Sequence, residues 1–126
     1  MRALIVDDSR AIRKLLQRMI EPLGFECAQA EHGEDALAQL DPANPPDIVL
    51  VDWNMPVMDG LALVKAIRAI RGFAEMTVLM VSSESDPGKM MKALLAGADD
   101  YLVKPVSQEI ISEKLSVLGV LDPAGT

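Results

Sequence analysis

The chain has 126 residues, half of them hydrophobic and a quarter charged, which is typical of one globular domain and not of a disordered chain. Its 19 acidic and 12 basic residues give a formal charge of −7, which opposes nonspecific attraction to nucleic acid or anionic lipid. The single cysteine, the absence of a signal-peptide layout and the lack of an apolar run near the roughly 20 residues of a bilayer span favour a cytoplasmic protein without membrane insertion.

Hydrophobic spacing predicts five strands, each followed by a helix. Short runs of aliphatic and β-branched residues predict the strands, which are 3–6, 25–30, 48–51, 77–81 and 101–103. Apolar residues three and four positions apart predict a first helix that Ser9 caps and Gly24 ends, and a second helix at 33–40. In the third helix Val64, Ile67 and Ile70 are expected to face inward, with the helix ending near Gly72. The fourth helix is predicted at about 89–96, and the last begins after Ser107.

Strict alternation of strands and helices with short loops predicts an α/β fold with a parallel sheet. Strands that are apolar throughout indicate that helices cover both faces of the sheet, which makes three layers. Right-handed connections and five strands favour the doubly wound, flavodoxin-like (βα)5 arrangement with strand order 2-1-3-4-5. We expect one domain over residues 1–121 and a frayed tail at 122–126.

Acidic residues follow two of the strands that meet at the switch point of such a sheet. Asp7 and Asp8 leave the first strand and Asp52 leaves the third, so the three carboxylates are expected to converge. Two unit charges about 5 Å apart repel by roughly 3 kcal/mol at an effective dielectric near 20, so a cation is needed among them. An open cup of carboxylates without cysteine or histidine suits Mg²⁺ better than zinc.

The remaining strand ends carry groups that suit phosphate chemistry. Ser82, a hydroxyl, follows the fourth strand, and Lys104, an ammonium on a long stem, follows the fifth. A carboxylate nucleophile, a divalent metal, a hydroxyl and an ammonium around one point form a site for phosphoryl transfer to an aspartate. The sequence therefore predicts Asp52 as the nucleophile, held at the end of a rigid strand.

Four motifs carry a resemblance to a known family along nearly the whole chain. They are LIVDDS at 4–9, VDWNMPVMDG at 51–60, VSSES at 81–85 and GADDYLVKP at 97–105. In this order and spacing the sequence resembles the receiver domains of bacterial two-component response regulators. The resemblance implies that Asp52 accepts a phosphoryl group from a sensor histidine kinase or phosphotransfer protein.

The resemblance also implies roles for individual residues. Asp7, Asp8 and Asp52, with the backbone carbonyl of Asn54, would hold Mg²⁺, while Ser82 and Lys104 would contact the phosphoryl oxygens. Ser82 and Tyr101 would form the switch, in which the aromatic ring turns inward as the hydroxyl moves toward the phosphate. The Lys104–Pro105 peptide bond would be cis. Serine at position 82, where threonine is common, keeps the hydroxyl but lacks the methyl group that restricts the rotamer.

Other residues narrow the resemblance and point to a partner surface. Trp53, Asn54 and Glu84 are similar to those of stand-alone chemotaxis regulators. The family's usual output face is formed by the fourth helix, fifth strand and fifth helix, and it implies partner contacts at Lys92 and Tyr101. Trp53 is interpreted as a reporter of the site mouth and not as a participant.

The same residues also allow a simpler structural interpretation and two other functions. Asp7 and Asp8 would also stabilise the start of the following helix by up to about 1 kcal/mol. A hydrolase of the haloacid dehalogenase kind uses similar groups, but it places an aspartate two residues after the nucleophile, where this chain has Asn54. A receiver-like scaffold that is never phosphorylated is the third possibility. His32 is expected to be solvated and to have no role in the chemistry.

Overall fold

The computed structural model describes residues 1–121, and the predicted frayed tail at 122–126 lies outside the described residues. The strands are β1 (Arg2–Val6), β2 (Glu26–Ala30), β3 (Ile48–Val51), β4 (Thr77–Ser82) and β5 (Asp100–Val103). The helices are α1 (Arg10–Ile20), α2 (Gly33–Gln39), α3 (Gly60–Arg68), α4 (Pro87–Ala96) and α5 (Gln108–Val117), with 3-10 turns at Glu21–Leu23 and Arg71–Phe73.

All five strands are parallel and lie in the order β2-β1-β3-β4-β5, which confirms the predicted doubly wound fold. The sheet separates two apolar cores. Side chains from α2, α3 and α4 pack with one face of the sheet, and side chains from α1 and α5 pack with the other. The four residues of β3 are each at most 1 % exposed, because helices cover this central strand on both faces.

Strand register brings the functional residues to one edge of the sheet. Val6 of β1 pairs with Val51 of β3, and the Asp52 N–H donates to the Val6 carbonyl at 3.0 Å. The residues that follow these two strands therefore leave the sheet side by side. On the far side of β4, the Lys104 N–H donates to the Ser82 carbonyl at 2.8 Å. The main chains of Ser82 and Lys104 are thereby held together.

Two helix boundaries differ from the sequence prediction. The fourth helix begins at Pro87 and not near 89, because Asp86 caps it by accepting from the Lys89 N–H at 3.0 Å and proline suits the first helical position. The third helix ends at Arg68, well before Gly72. Ile70 is 37 % exposed and does not face inward, since the turn after it places Phe73 in the core instead.

The edge strand β2 also departs from the expectation of apolar strands throughout. Glu26 and Ala28 are exposed, whereas Ala30 is buried where the strand approaches the acidic end of β1. Within the described residues, none of the helices has both the length and the apolar character that a bilayer span requires.

Candidate functional site

Three carboxylates meet where β1 and β3 end. Asp7 is 1 % exposed and Asp52 is 6 % exposed, while Asp8 is open to solvent. Each offers a carboxylate oxygen, and these oxygens all lie within 4.8 Å of one another. The structure therefore brings together the three acidic residues selected from the sequence.

Lys104 reaches the same cluster from the end of β5. Its Nζ donates to Asp7 Oδ2 at 2.7 Å and lies 3.7 Å from Asp52 Oδ1. The peptide bond between Lys104 and Pro105 is cis, as the resemblance implies. Lys104 thus faces three carboxylates, and its single charge leaves them with an excess of negative charge.

One oxygen of the Asp52 carboxylate lacks the hydrogen bond that a buried anion normally has. Its Oδ1 is buried and has no hydrogen-bond partner in the part of the chain that the structure describes. Burial is the main cause that raises the pKa of Asp52 above its ordinary value, and the nearby Asp7 carboxylate raises it further. Lys104 and the Ser82 hydroxyl lower that pKa, but by less.

These residues fit a hard divalent cation. The donors are carboxylate oxygens, one of them buried and unpartnered, and the exposed side of the cup at Asp8 leaves room for water ligands. Asn54 lies two residues beyond Asp52, exposed in the loop between β3 and α3. The acidic pocket can bind a metal ion, and its donor set excludes the sulfur and nitrogen ligands that zinc prefers.

A chain of bonds links Ser82 to the ring of Tyr101. Ser82 is fully buried, and its Oγ accepts from the Glu84 N–H at 3.1 Å. The Tyr101 hydroxyl donates to the Glu84 carbonyl at 2.8 Å, and the ring is 6 % exposed. The Glu84 carboxylate accepts from Lys89 Nζ at 3.0 Å on the surface. The loop between β4 and α4 is therefore tied to both predicted switch residues.

Gly60 supports the site in a way that the sequence did not reveal. It is the first residue of α3, which Asp59 caps. A Cβ at this position would clash with the Asp52 carbonyl oxygen and lie 2.8 Å from the Trp53 Cα. The Gly60 N–H also donates to the Trp53 carbonyl at 2.8 Å. Glycine is required here because the backbone of α3 touches the backbone at Asp52.

Trp53 and His32 are placed differently from the expectations. Trp53 is 7 % exposed and packs in the core under α3, so it does not line an open mouth, although it directly follows Asp52. His32 is half-buried and caps α2, with its Nδ1 accepting from the Asp35 N–H at 3.1 Å. Its role is structural, and it lies outside the acidic cluster.

Of the two residues named for the partner face, Lys92 lies on another side of α4. It lines a groove between α3 and α4 with Leu61, Lys65 and Leu95. The difference arises because the rotation of α4 about its axis is fixed by Ala93, which is fully buried against the sheet. Tyr101 belongs to β5 as expected, but its ring is buried in this conformation.

Comparison with known proteins identifies the family of this chain and several similar proteins. The model of the response regulator receiver domain matches residues 3–116, so the chain belongs to the receiver domain family, whose members are signalling switches that work with kinases or phosphotransfer proteins and output targets. The chain is 39 % identical over 119 residues to chemotaxis protein CheY1 of Helicobacter pylori strain J99, covering 94 % of this chain and 96 % of that protein. It is 38 % identical over 121 residues to a chemotaxis protein CheY homolog of Campylobacter jejuni, covering 94 % and 93 %. The crystal structure of chemotaxis response regulator CheY4 of Vibrio cholerae superposes with a TM-score of 0.85 at 33 % identity, covering 93 % of this chain and 97 % of that one.

Proposed function

We propose that Asp52 is the phosphoacceptor of this phosphorylation-activated switch. The observation that carries the proposal is the buried, unpartnered Oδ1 of Asp52, which lies within reach of a lysine and two further carboxylates. In the transfer step an Asp52 oxygen attacks the phosphorus of a phosphohistidine in the kinase or phosphotransfer protein. The new P–O bond forms as the P–N bond breaks, and the imidazole nitrogen keeps the electron pair and takes up a proton.

The donor set supports Mg²⁺ at Asp7, Asp8, Asp52 and the Asn54 carbonyl. When bound, the ion would neutralise charge on the phosphoryl oxygens and on the attacking carboxylate. The chain's own contribution is to hold the Asp52 carboxyl group at the end of a rigid strand, next to Asp7 and Lys104. The repulsion among the three carboxylates is costly without a cation, which supports a metal ion at this position.

Lys104 and Ser82 are the proposed contacts of the phosphoryl oxygens. Lys104 Nζ is bonded to Asp7 and is only 3.7 Å from Asp52, so a short movement would bring it to an anion attached there. Ser82 accepts from the Glu84 N–H, which leaves the hydroxyl hydrogen available to donate. Both residues would then stabilise the charge that the phosphoryl group adds.

The switch would pass from Ser82 through Glu84 to Tyr101. A shift of the Ser82 hydroxyl toward the phosphoryl group changes the position of the Glu84 peptide, whose carbonyl accepts from Tyr101. Phosphorylation can shift the equilibrium between the two states by no more than the difference in the contacts that the phosphoryl group makes in each.

We place the output partner on the surface of α4, β5 and α5. Large apolar side chains on this surface are exposed by 37 to 78 %, namely Met91, Leu94, Val103, Ile110 and Val117. Exposed apolar side chains grouped on neighbouring elements are typical of a site for protein partners. The Tyr101 ring is buried in β5, whereas Lys92 would contribute only to a partner that also extends over the groove between α3 and α4.

Chemotaxis is the proposed pathway, because the curated relatives carry that name over nearly the whole chain. A cytoplasmic location belongs to the same proposal and is supported by the lone cysteine, which cannot form a disulfide within the chain. We propose that the chain catalyses only its own phosphorylation and dephosphorylation. Sustained turnover of a chromogenic phosphate ester would contradict that proposal and favour a hydrolase.

The direct test is phosphorylation by a small-molecule phosphodonor with and without Mg²⁺. We expect one phosphoryl group per chain, mapped to Asp52 by mass spectrometry, and no labelling in Asp52→Asn. Asp59→Asn is the matched control, since it changes the nearest exposed aspartate of the same loop and asparagine still caps α3. Equal labelling of the Asp52 variant and the wild type would refute the site.

A further inference from the structure

Arg13 is a buried cation that the proposed mechanism does not use. It is 7 % exposed and lies on the inner face of α1, three residues before Leu16 and seven before Ile20, which are both buried. A buried charge is costly unless it is paired or well hydrogen-bonded. Within residues 1–121 Arg13 forms no ion pair with a carboxylate. Its burial therefore requires an explanation from its other contacts.

The guanidinium group joins β1 to β2 directly behind the acidic cluster. Nη1 donates to the Asp7 carbonyl at 2.7 Å, and Nε donates to Gln29 Oε1 at 3.0 Å. The amide of Gln29 is held in turn, since its Nε2 donates to Gln17 Oε1 at 2.7 Å. Because the guanidinium is planar, its two bonds fix the distance between the Asp7 carbonyl and the β2 side chain.

Every polar group of Asp7 forms a hydrogen bond. Its N–H donates to the Ala30 carbonyl at 3.2 Å, its Oδ1 accepts from the Ser9 N–H at 2.8 Å and its Oδ2 accepts from Lys104. The bond from Arg13 to the carbonyl is the one contact of these four made by a buried cation. It sets the orientation of the peptide that follows Asp7 and leads to Asp8.

We propose that Arg13 is a positioning residue that fixes the main chain at Asp7, so that the Asp7 and Asp8 carboxylates point at the metal position beside Asp52. This inference rests on the proposed Mg²⁺-dependent function. Groups that orient metal ligands typically alter metal affinity about 10- to 100-fold when they are removed. Arg13 acts on the main chain and not on a ligand atom, so an effect of about 10-fold is expected.

The direction in which Mg²⁺ affinity changes when Arg13 is replaced distinguishes a positioning role from the effect of its positive charge alone. A positive charge near the cup repels Mg²⁺, so removing it would tighten metal binding if the field were its only action. Losing the bond to the Asp7 carbonyl loosens the ligands and weakens binding. Arg13→Lys keeps the charge but lacks the planar fork, whereas Arg13→Gln removes both.

The test is a Mg²⁺ titration of these two variants, followed by Trp53 fluorescence and by the metal-dependent rise in melting temperature. Arg13→Lys, which keeps the charge, should bind Mg²⁺ about 10-fold more weakly than the wild type, and Arg13→Gln should also bind more weakly, by a smaller factor. Arg68→Lys is the matched control, because Arg68 also donates to two carbonyls, those of Gly97 at 2.9 Å and Phe73 at 2.7 Å, away from the cluster. Its dissociation constant for Mg²⁺ should equal that of the wild type.

Three results would overturn the inference. Tighter binding by Arg13→Gln with unchanged binding by Arg13→Lys would show that only the field matters. Lower stability with an unchanged dissociation constant would show that the arginine serves the fold alone. A wild-type chain that does not bind Mg²⁺ would reject the proposed function together with the inference. If Arg13→Gln fails to fold, Gln29→Met keeps the guanidinium but removes its anchor, and unchanged Mg²⁺ binding in that variant would equally refute positioning.

Discussion

Without metal, the Asp52 carboxylate should destabilise the fold at neutral pH, so Asp52→Asn should be more stable than the wild type. Two charges 4.8 Å apart, the limit of separation in the acidic cluster, repel by about 3.5 kcal/mol at an effective dielectric near 20. The Lys104 ammonium, 3.7 Å from Asp52 Oδ1, returns about 4.5 kcal/mol on the same scale. The repulsion by Asp7 and the attraction by Lys104 nearly cancel, and the solvent-screened repulsion by the exposed Asp8 adds only a little, so the burial of an unpartnered acceptor is the main cost. Such an acceptor costs about 1–3 kcal/mol, and we expect a gain of that size in the variant.

The gain should depend on pH in a defined direction. Burial and Asp7 raise the pKa of Asp52 in the folded chain, so the protonated form favours folding and this contribution is lost as the pH rises through the raised pKa. Below about pH 4, the ordinary range of a carboxyl group, Asp52 is neutral in both states and the two proteins should differ little. The advantage of the variant should then grow with pH and remain at neutral pH.

The assay is urea unfolding followed by circular dichroism from acidic to neutral pH in the presence of a chelator. Glu75→Gln is the control, because it removes an exposed negative charge away from the cluster. Mg²⁺ at roughly ten times its dissociation constant should stabilise the wild type by about 1.4 kcal/mol and the variant by less. A variant that is less stable than the wild type at neutral pH without metal, or a difference that does not change with pH, would refute the reasoning.

Three further substitutions test features of the loops around the site. Gly60→Ala places a Cβ 2.8 Å from the Trp53 Cα, so it should cost about 3 kcal/mol in thermal unfolding and abolish phosphorylation; a wild-type melting temperature would contradict the close contact. Val57 is 84 % exposed at φ 68°, a strained conformation for a β-branched residue, and Val57→Asn should raise the free energy of unfolding by about 1 kcal/mol in urea titrations, whereas a loss would argue against strain. Tyr101→Phe removes the bond to the Glu84 carbonyl and should cost about 1 kcal/mol in a thermal melt. Phosphorylation should persist in that variant while pull-down of a partner becomes less dependent on it, and an unchanged dependence would exclude the tyrosine from the switch.

The fold was predictable because its determinants are local and periodic. β3 is a continuous aliphatic run, which is typical of a central strand covered on both faces. The edge strand β2 was the exception, because an edge position leaves Glu26 and Ala28 exposed and the run does not need to be apolar. Helix ends were less predictable, since the start of α4 depended on the proline and cap at its first turn rather than on its apolar spacing.

The cluster at the strand ends was predictable because a parallel sheet brings the carboxyl ends of neighbouring strands to one edge. Contacts between residues that are distant in the sequence were not predictable. The bond from Lys104 to Asp7 and the packing of Gly60 on the Asp52 backbone depend on distances that spacing does not contain. Arg13 did leave a signal, since a charged residue three positions before Leu16 falls on the buried stripe of α1. That Lys92 lines the groove between α3 and α4 was not predictable either, because the rotation of α4 relative to its neighbours is set by packing.

The peptide of Glu84 is held from both sides, by the serine oxygen at its N–H and by the tyrosine hydroxyl at its carbonyl. A hydroxyl accepts and donates at the same time, so Ser82 can keep this bond while its hydrogen turns to a new acceptor. The loop can therefore relay a chemical event as a rigid-body displacement, with no need to melt and reform. The same two hydrogen bonds would then hold the loop in its inactive position before phosphorylation and move it quickly afterwards.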